Sequence, residues 1–136
     1  MLLQAAATAA PAPALSWGLP GVSFTQYRAD AFDCSYTALT VSIPADTSRF
    51  EAPGADDSLD DYMLRARRYD LQRRHAEMQI RQAAIDRCLV ARGYQRFRLT
   101  AEQQAHLNAL PRGTQQRHQY LYSLATDRAV VRTQQL

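Results

Sequence analysis

The stretch Ser58–Tyr94, SLDDYMLRARRYDLQRRHAEMQIRQAAIDRCLVARGY, decides the fold. Ser58 and Asp61 stand three apart as a capping box, in which a hydroxyl and a carboxylate satisfy two orphan N–H groups. Asp60 and Asp61 place negative charge on the positive end of the helix dipole, and Arg87 and Arg92 complement the other end. Leu59, Met63, Ala66, Tyr69, Ala76, Ile80, Ala84, Cys88 and Ala91 recur every three or four residues and make one stripe. Asp61–Arg65, Asp70–Arg74 and Glu77–Arg81 are acid-before-base pairs at i, i+4. Neither Pro nor Gly interrupts before Gly93, which takes the left-handed position that ends a helix, with Leu89 and Tyr94 at the spacing of the closing apolar contact. The pattern predicts a continuous helix over 58–92, roughly 50 Å long at 1.5 Å per residue. A rod of that length exceeds what a compact domain of 136 residues needs. Part of it is wrapped by the rest of the chain or projects to meet a partner. Arg73 interrupts the stripe, as a snorkelling side chain, half of a buried ion pair or a partner contact.

Before this helix, Ser23 with Gln26 forms a second capping box. Phe24, Tyr27, Ala31, Cys34 and Ala38 follow at helical spacing, which predicts a shorter helix over 24–38. Leu39, Val41 and Ile43 alternate with polar residues as an extended run that Pro44 ends. Residues 44–57 are a loop by composition, with Phe50 as its one anchor. Residues 1–22, rich in Ala and Pro, are expected to be a disordered leader or the remnant of an export signal. Small residues such as Ala5-Ala6-Ala7 suit a cleavage site, but a basic n-region is missing.

Beyond Gly93, Phe97 and Leu99 alternate with Arg, a second extended run that would pair with Leu39–Ile43 in a two-stranded patch. Thr100 with Gln103 caps a helix that Pro111-Arg112-Gly113 stops, Thr114 caps another and Asp127 a last short turn. The fold class expected is mainly α: one long helix, a shorter N-terminal helix and two or three short C-terminal helices. Residues 23–131 are expected as a single helical domain, with 132–136 frayed.

All sixteen basic residues are Arg, against thirteen acids, for a net charge of +3. Residues 1–61 hold two Arg and eight acids; residues 62–136 hold fourteen Arg and five acids. The two halves either neutralise each other or leave a basic surface for nucleic acid, an anionic lipid face or an acidic protein.

Catalytic patterns fail one by one. His75-Ala76-Glu77 matches the H-x-E of zinc deaminases without the P-C-x-x-C that completes it. His106 and His118 stand alone, and three scattered His with two distant Cys match no standard zinc spacing. Asp56, Asp57, Asp60 and Asp61 are accounted for by the helix N-terminus without an ion. A Cys–His nucleophilic pair stays open, although Cys88 lies on the apolar stripe. No enzyme activity, cofactor or metal is expected, and no stretch has the eighteen or so apolar residues of a membrane span.

Cys88-Leu89-Val90-Ala91-Arg92-Gly93-Tyr94 with Phe97-Arg98-Leu99-Thr100, and Leu110-Pro111-Arg112-Gly113-Thr114 with Arg117-His118-Gln119-Tyr120-Leu121, resemble patterns in small uncharacterised envelope proteins of high-GC Gram-negative bacteria. The resemblance covers about residues 88–131. It implies export to a periplasmic or extracytoplasmic compartment and a family without an assigned activity, and it carries no catalytic residues. Ala31-Phe32-Asp33 before Cys34 is not a lipobox, so Cys34 is not read as lipidated. The even cysteine count, the candidate export remnant and the resemblance together point to a Cys34–Cys88 disulfide. The expected function is structural: an exported accessory subunit docking its Arg-rich helix on a larger protein or membrane-associated assembly, through Arg65, Arg68, Tyr69 and Arg73. Nucleic-acid or anionic-lipid binding through the same face is the alternative, with nucleic acid disfavoured because no recognised motif is present. An enzyme of unrecognised type is the second alternative.

Overall fold

The computed structural model describes residues 13–44, 54 and 57–136. The leader before residue 13, Phe50 and Asp56 lie outside the described residues. The chain divides into two compact units, residues 28–92 and residues 1–27 with 93–136.

The unit of residues 28–92 is built on α2 (Leu59–Ala91), an unbroken helix of 33 residues. The Ser58 hydroxyl accepts from the Asp61 N–H at 3.3 Å and donates to Asp61 Oδ2 at 2.9 Å, so the expected cap is present with the carboxylate turned onto the hydroxyl. At the far end the Arg92 N–H reaches the carbonyls of Cys88 and Leu89, and Gly93 has φ +92°. That region penalises a Cβ, which is why Gly stands there.

The shorter helix is α1 (Phe24–Leu39), which ends one residue beyond its expected limit. Ser23 Oγ accepts from the Gln26 N–H at 3.1 Å at its start. Two cross-links one helical turn apart fix α1 against α2. Cys34 and Cys88 are disulfide-bonded, with their Cα atoms 5.5 Å apart. Four residues before Cys34, Asp30 accepts from Arg92 Nη1, four residues after Cys88, at 2.6 Å. As one number rises the other falls, so the two helices run antiparallel. Ala38 and Ala84, the next positions at the same four-residue step, are both buried.

Among its described residues the other unit holds a two-stranded antiparallel sheet and three complete helices. Strand β1 (Leu15–Gly18) pairs with β2 (Gln95–Arg98), with Ser16 opposite Phe97 and Trp17 opposite Arg96. The Arg96 guanidinium lies 5.4 Å from the centre of the Trp17 ring, a cross-strand cation–π pair. The strand partner expected for β2 was Leu39–Ile43, and that expectation is corrected: Leu39 is the last residue of α1 and residues 41–44 form no strand. At the end of α1 the Thr37 and Thr40 hydroxyls donate to the Asp33 and Thr37 carbonyls, local bonds of the kind that compete with further helix. Residues 15–18, expected within the leader, form the strand instead.

Helices α3 (Ala101–Asn108), α4 (Gln115–Ala125) and α5 (Arg128–Gln134) start at the expected caps Thr100, Thr114 and Asp127. The Thr100–Gln103 capping box is complete in both directions. Phe97, Leu99, Leu107, Leu124 and Val131 form the core of this unit, with Tyr120, Leu121 and Val130 packed against it. Gly18 sits beneath that core: a Cβ there would lie 2.6 Å from Val131 Cγ2 and 2.8 Å from the Ala125 carbonyl oxygen. Only Gly admits β1 at this depth. The chain end, expected to fray from residue 132, stays engaged: α5 runs to Gln134, Gln135 bridges Phe97, and the Leu136 N–H donates to the Arg96 carbonyl at 3.2 Å.

Candidate docking face of the long helix

The candidate site is the exposed part of α2, and its geometry starts from the brace at the other end. Asp30 is only 4% exposed and would be costly to bury as a lone carboxylate. Arg92 compensates it at 2.6 Å and reaches Asp33 Oδ2 at 3.4 Å. The Arg92 guanidinium is held above its ordinary pKa, chiefly by the Asp30 hydrogen bond; desolvation opposes this and Asp33 adds to it. Disulfide and ion pair together fix the C-terminal third of α2 against α1.

Toward its N-terminus α2 leaves much of its surface in solvent. Of the expected stripe, Ala84 is buried, Leu59, Met63 and Ala91 are exposed, and the others are half-buried. Off that stripe, Leu64 is 63%, Leu71 59% and Met78 70% exposed. Large apolar side chains in solvent on a helix this long are the kind of surface that marks an interaction site.

Arg65, Arg68, Tyr69 and Arg73 stand at i, i+3, i+4 and i+8 along one broad flank of α2, each with its own surroundings. Arg65 Nη1 lies 3.6 Å from Asp57 Oδ1, and Asp57 also accepts from the Gly54 N–H. Arg73 Nε lies 3.5 Å from Glu77 Oε1, so its stripe position is resolved as an exposed intrahelical pair. Arg68 is exposed and Tyr69 half-buried. Around the helix axis, Arg68 and Arg73 are separated by more than a third of a turn at 100° per residue. Of the three expected i, i+4 pairs, Asp70–Arg74 is formed at 3.0 Å; Glu77 is taken by Arg73 and Arg65 by Asp57.

The remaining candidates are accounted for locally. Both cysteines are in the disulfide, so a Cys–His nucleophilic pair is excluded. His75 is exposed on α2, and His106 packs on Tyr120 with ring centres 4.3 Å apart. Burial, with the Glu102 charge second, pushes the Tyr120 hydroxyl above its usual pKa. Among the described residues no three His, Cys, Asp or Glu side chains come together as a metal site, and no helix is long and apolar enough to cross a membrane. Sequence reasoning passed over Asp30 and Arg92 as partners. Each stands one turn outside a cysteine, and that spacing was the available signal.

No family model, curated protein or solved structure matches this chain. The functional reading therefore rests on the geometry of α2.

Proposed function

We propose that this is a small, non-enzymatic exported protein that serves as an accessory subunit and docks α2 on a larger protein of the cell envelope. The observation that carries the reading is how much of α2 stays in solvent, with Leu64, Leu71 and Met78 along one side and an arginine flank with Arg65, Arg68 and Arg73 beside it, on a helix whose other end is cross-linked to α1. A braced helix meets its partner with less ordering cost than a free one. The Cys34–Cys88 bridge supports an oxidising compartment, since such bonds persist outside the reducing cytosol. The resemblance of residues 88–131 to small envelope proteins agrees with that placement.

The test is affinity capture from the envelope fraction of the native host with the disulfide intact. Wild type is compared with the triple variant Arg65→Glu, Arg68→Glu, Arg73→Glu. The reading expects a discrete protein partner retained by wild type and lost by the variant. Thermal stability should shift by a few degrees only, because Arg68 has a solvent-exposed side chain and the Arg73–Glu77 and Arg65–Asp57 pairs are partly open to solvent and at 3.5 and 3.6 Å, which keeps them near the ~0–1 kcal/mol of surface pairs. A variant that captures the same partner equally well, or one that unfolds, contradicts it. Recovery of nucleic acid or anionic lipid in place of protein favours the alternative use of the same basic surface.

A further inference from the structure

Helix α2 carries a heptad repeat offset from the row of Ala84 and Cys88, exposed over its first three apolar members. Leu64, Leu71, Met78 and Ile85 stand seven apart. The third residue after each of the first three is Arg: Arg67, Arg74 and Arg81; the fourth is Arg68, His75 or Gln82. Positions i, i+3, i+4 and i+7 share one helix face. The face therefore alternates apolar and cationic layers, one of each per roughly 10.5 Å. Leu64, Arg67, Arg68, Leu71, Arg74, His75 and Met78 are all exposed, and Arg81 and Ile85 are half-buried. The enclosed Nε of Arg81 has no hydrogen-bond partner among the described residues. Asp70 and Glu77 flank this row on the side that carries Ala84 and Cys88, while Asp60 stands seven before Arg67 and Asp86 accepts from Gln82 at the far end, so the stretch between them is the cationic part. Arg74 reaches across to Asp70, but that exposed pair is of the weak kind that a competing carboxylate displaces.

We infer that this face takes an acidic amphipathic helix of a partner protein, one presenting apolar residues and carboxylates alternately with a seven-residue repeat. The inference rests on the docking reading above and specifies the chemistry of the partner. The period selects a helix. A strict repeat of seven drifts about 20° per heptad on a straight α-helix, so Leu64 to Ile85 turn through roughly 60°. A partner helix that supercoils around α2 follows that drift, whereas a flat lipid surface loses one end of the row. Charge selects the sign. A second copy in parallel would stack Arg67, Arg74 and Arg81 on their own counterparts, and an antiparallel copy would set them against Leu and Met. Both leave the arginine layers themselves without a facing carboxylate, with Asp70 and Glu77 only at their flanks. Asp or Glu at the facing layers gives each guanidinium the bidentate acceptor that it matches best.

The probe is a synthetic four-heptad peptide with Leu at one core position and Glu at the other, titrated by fluorescence anisotropy against the disulfide-intact full chain. The comparison ligands are a peptide of identical composition with the heptad order scrambled, and phosphatidylglycerol vesicles. The acidic heptad peptide should bind at least about tenfold more tightly than the scrambled one, a difference of ~1.4 kcal/mol. Leu71→Ser should remove that preference. The triple variant Arg67→Glu, Arg74→Glu, Arg81→Glu should lose the acidic peptide and gain a peptide with Lys in place of Glu. If the triple variant does not fold, Leu71→Ser decides alone, since that side chain is exposed. Equal binding of the scrambled peptide, or binding of vesicles without peptide preference, overturns the inference. If neither peptide discriminates while Arg65, Arg68 and Arg73 still govern capture of an envelope protein, the docking reading stands and this one fails. If the peptide discriminates and envelope capture fails, the reverse holds.

Discussion

Removing the Cys34–Cys88 bridge should cost the unit of residues 28–92 a large part of its stability. The bonded residues are 54 apart in sequence. In the chain-entropy model, releasing a loop of that size returns about 14 cal/mol/K to the unfolded ensemble, or about 4 kcal/mol at 25 °C. Whole domains have only ~5–15 kcal/mol in hand. With a urea slope near 2 kcal/mol/M, the midpoint falls by about 2 M. The assay is urea unfolding of wild type, of reduced wild type and of Cys34→Ser/Cys88→Ser, followed by circular dichroism at the helical minimum. Trp17, the sole tryptophan, lies on β1 in the other unit, and its fluorescence separates a second transition from the first. The bridge joins helices already linked by Asp30–Arg92, so the variant should stay helical in water while its midpoint drops. A midpoint change worth less than ~1 kcal/mol would refute the reasoning, because the helix pair would then hold without its covalent tie.

Three further outcomes follow from the packing. Gly18→Ala forces a methyl into Val131 and the Ala125 carbonyl and should cost ~1–3 kcal/mol by thermal or urea unfolding, visible in Trp17 fluorescence. Asp30→Asn should lower the urea midpoint more than Asp33→Asn, since Asp30 is buried at 2.6 Å from Arg92 and Asp33 is exposed at 3.4 Å. Tyr120 titrates above the ordinary tyrosine value when folded. Its native form therefore binds more protons than the unfolded chain between about pH 10 and the raised pKa, and stability falls with pH across that window. Tyr120→Phe should flatten this fall, and difference absorbance should show the late-titrating phenol missing.

The long helix was legible because every local signal agreed: Ser58 at one end, Gly93 at the other and no breaker between them. The same holds for Thr100, Thr114 and Asp127, whose side chains cap in the structure as their spacing required. The Cys34–Cys88 pairing needed compartment reasoning as well as spacing, because burial alone does not join two cysteines. The sheet was misread. Leu39, Val41 and Ile43 have the alternation of a strand, but Leu39 is the last residue of α1, which leaves too short a run beyond it. Leu15–Gly18 carries too few alternating residues to stand out beside an Ala/Pro-rich segment. Its place is decided by the close approach at Gly18, a tertiary contact that no local pattern encodes. The contact residues were harder still. By spacing Arg65 belongs to Asp61 and Glu77 to Arg81, yet Asp57 engages Arg65 and Glu77 engages Arg73. The row from Leu64 to Ile85 is masked in sequence by the broader apolar stripe that leads to Cys88 on the same helix.

The central claim is that the exposed face of α2 meets a protein. A photo-crosslinking amino acid at Arg68, exposed on that face, tests it in the intact host most directly, with the same group at Gln119 on α4 as the control. The account predicts one discrete protein adduct from position 68, absent from position 119 and lost when Leu71→Ser is combined with it. No adduct, the same adducts from both positions, or cross-linking to nucleic acid or lipid alone would contradict it.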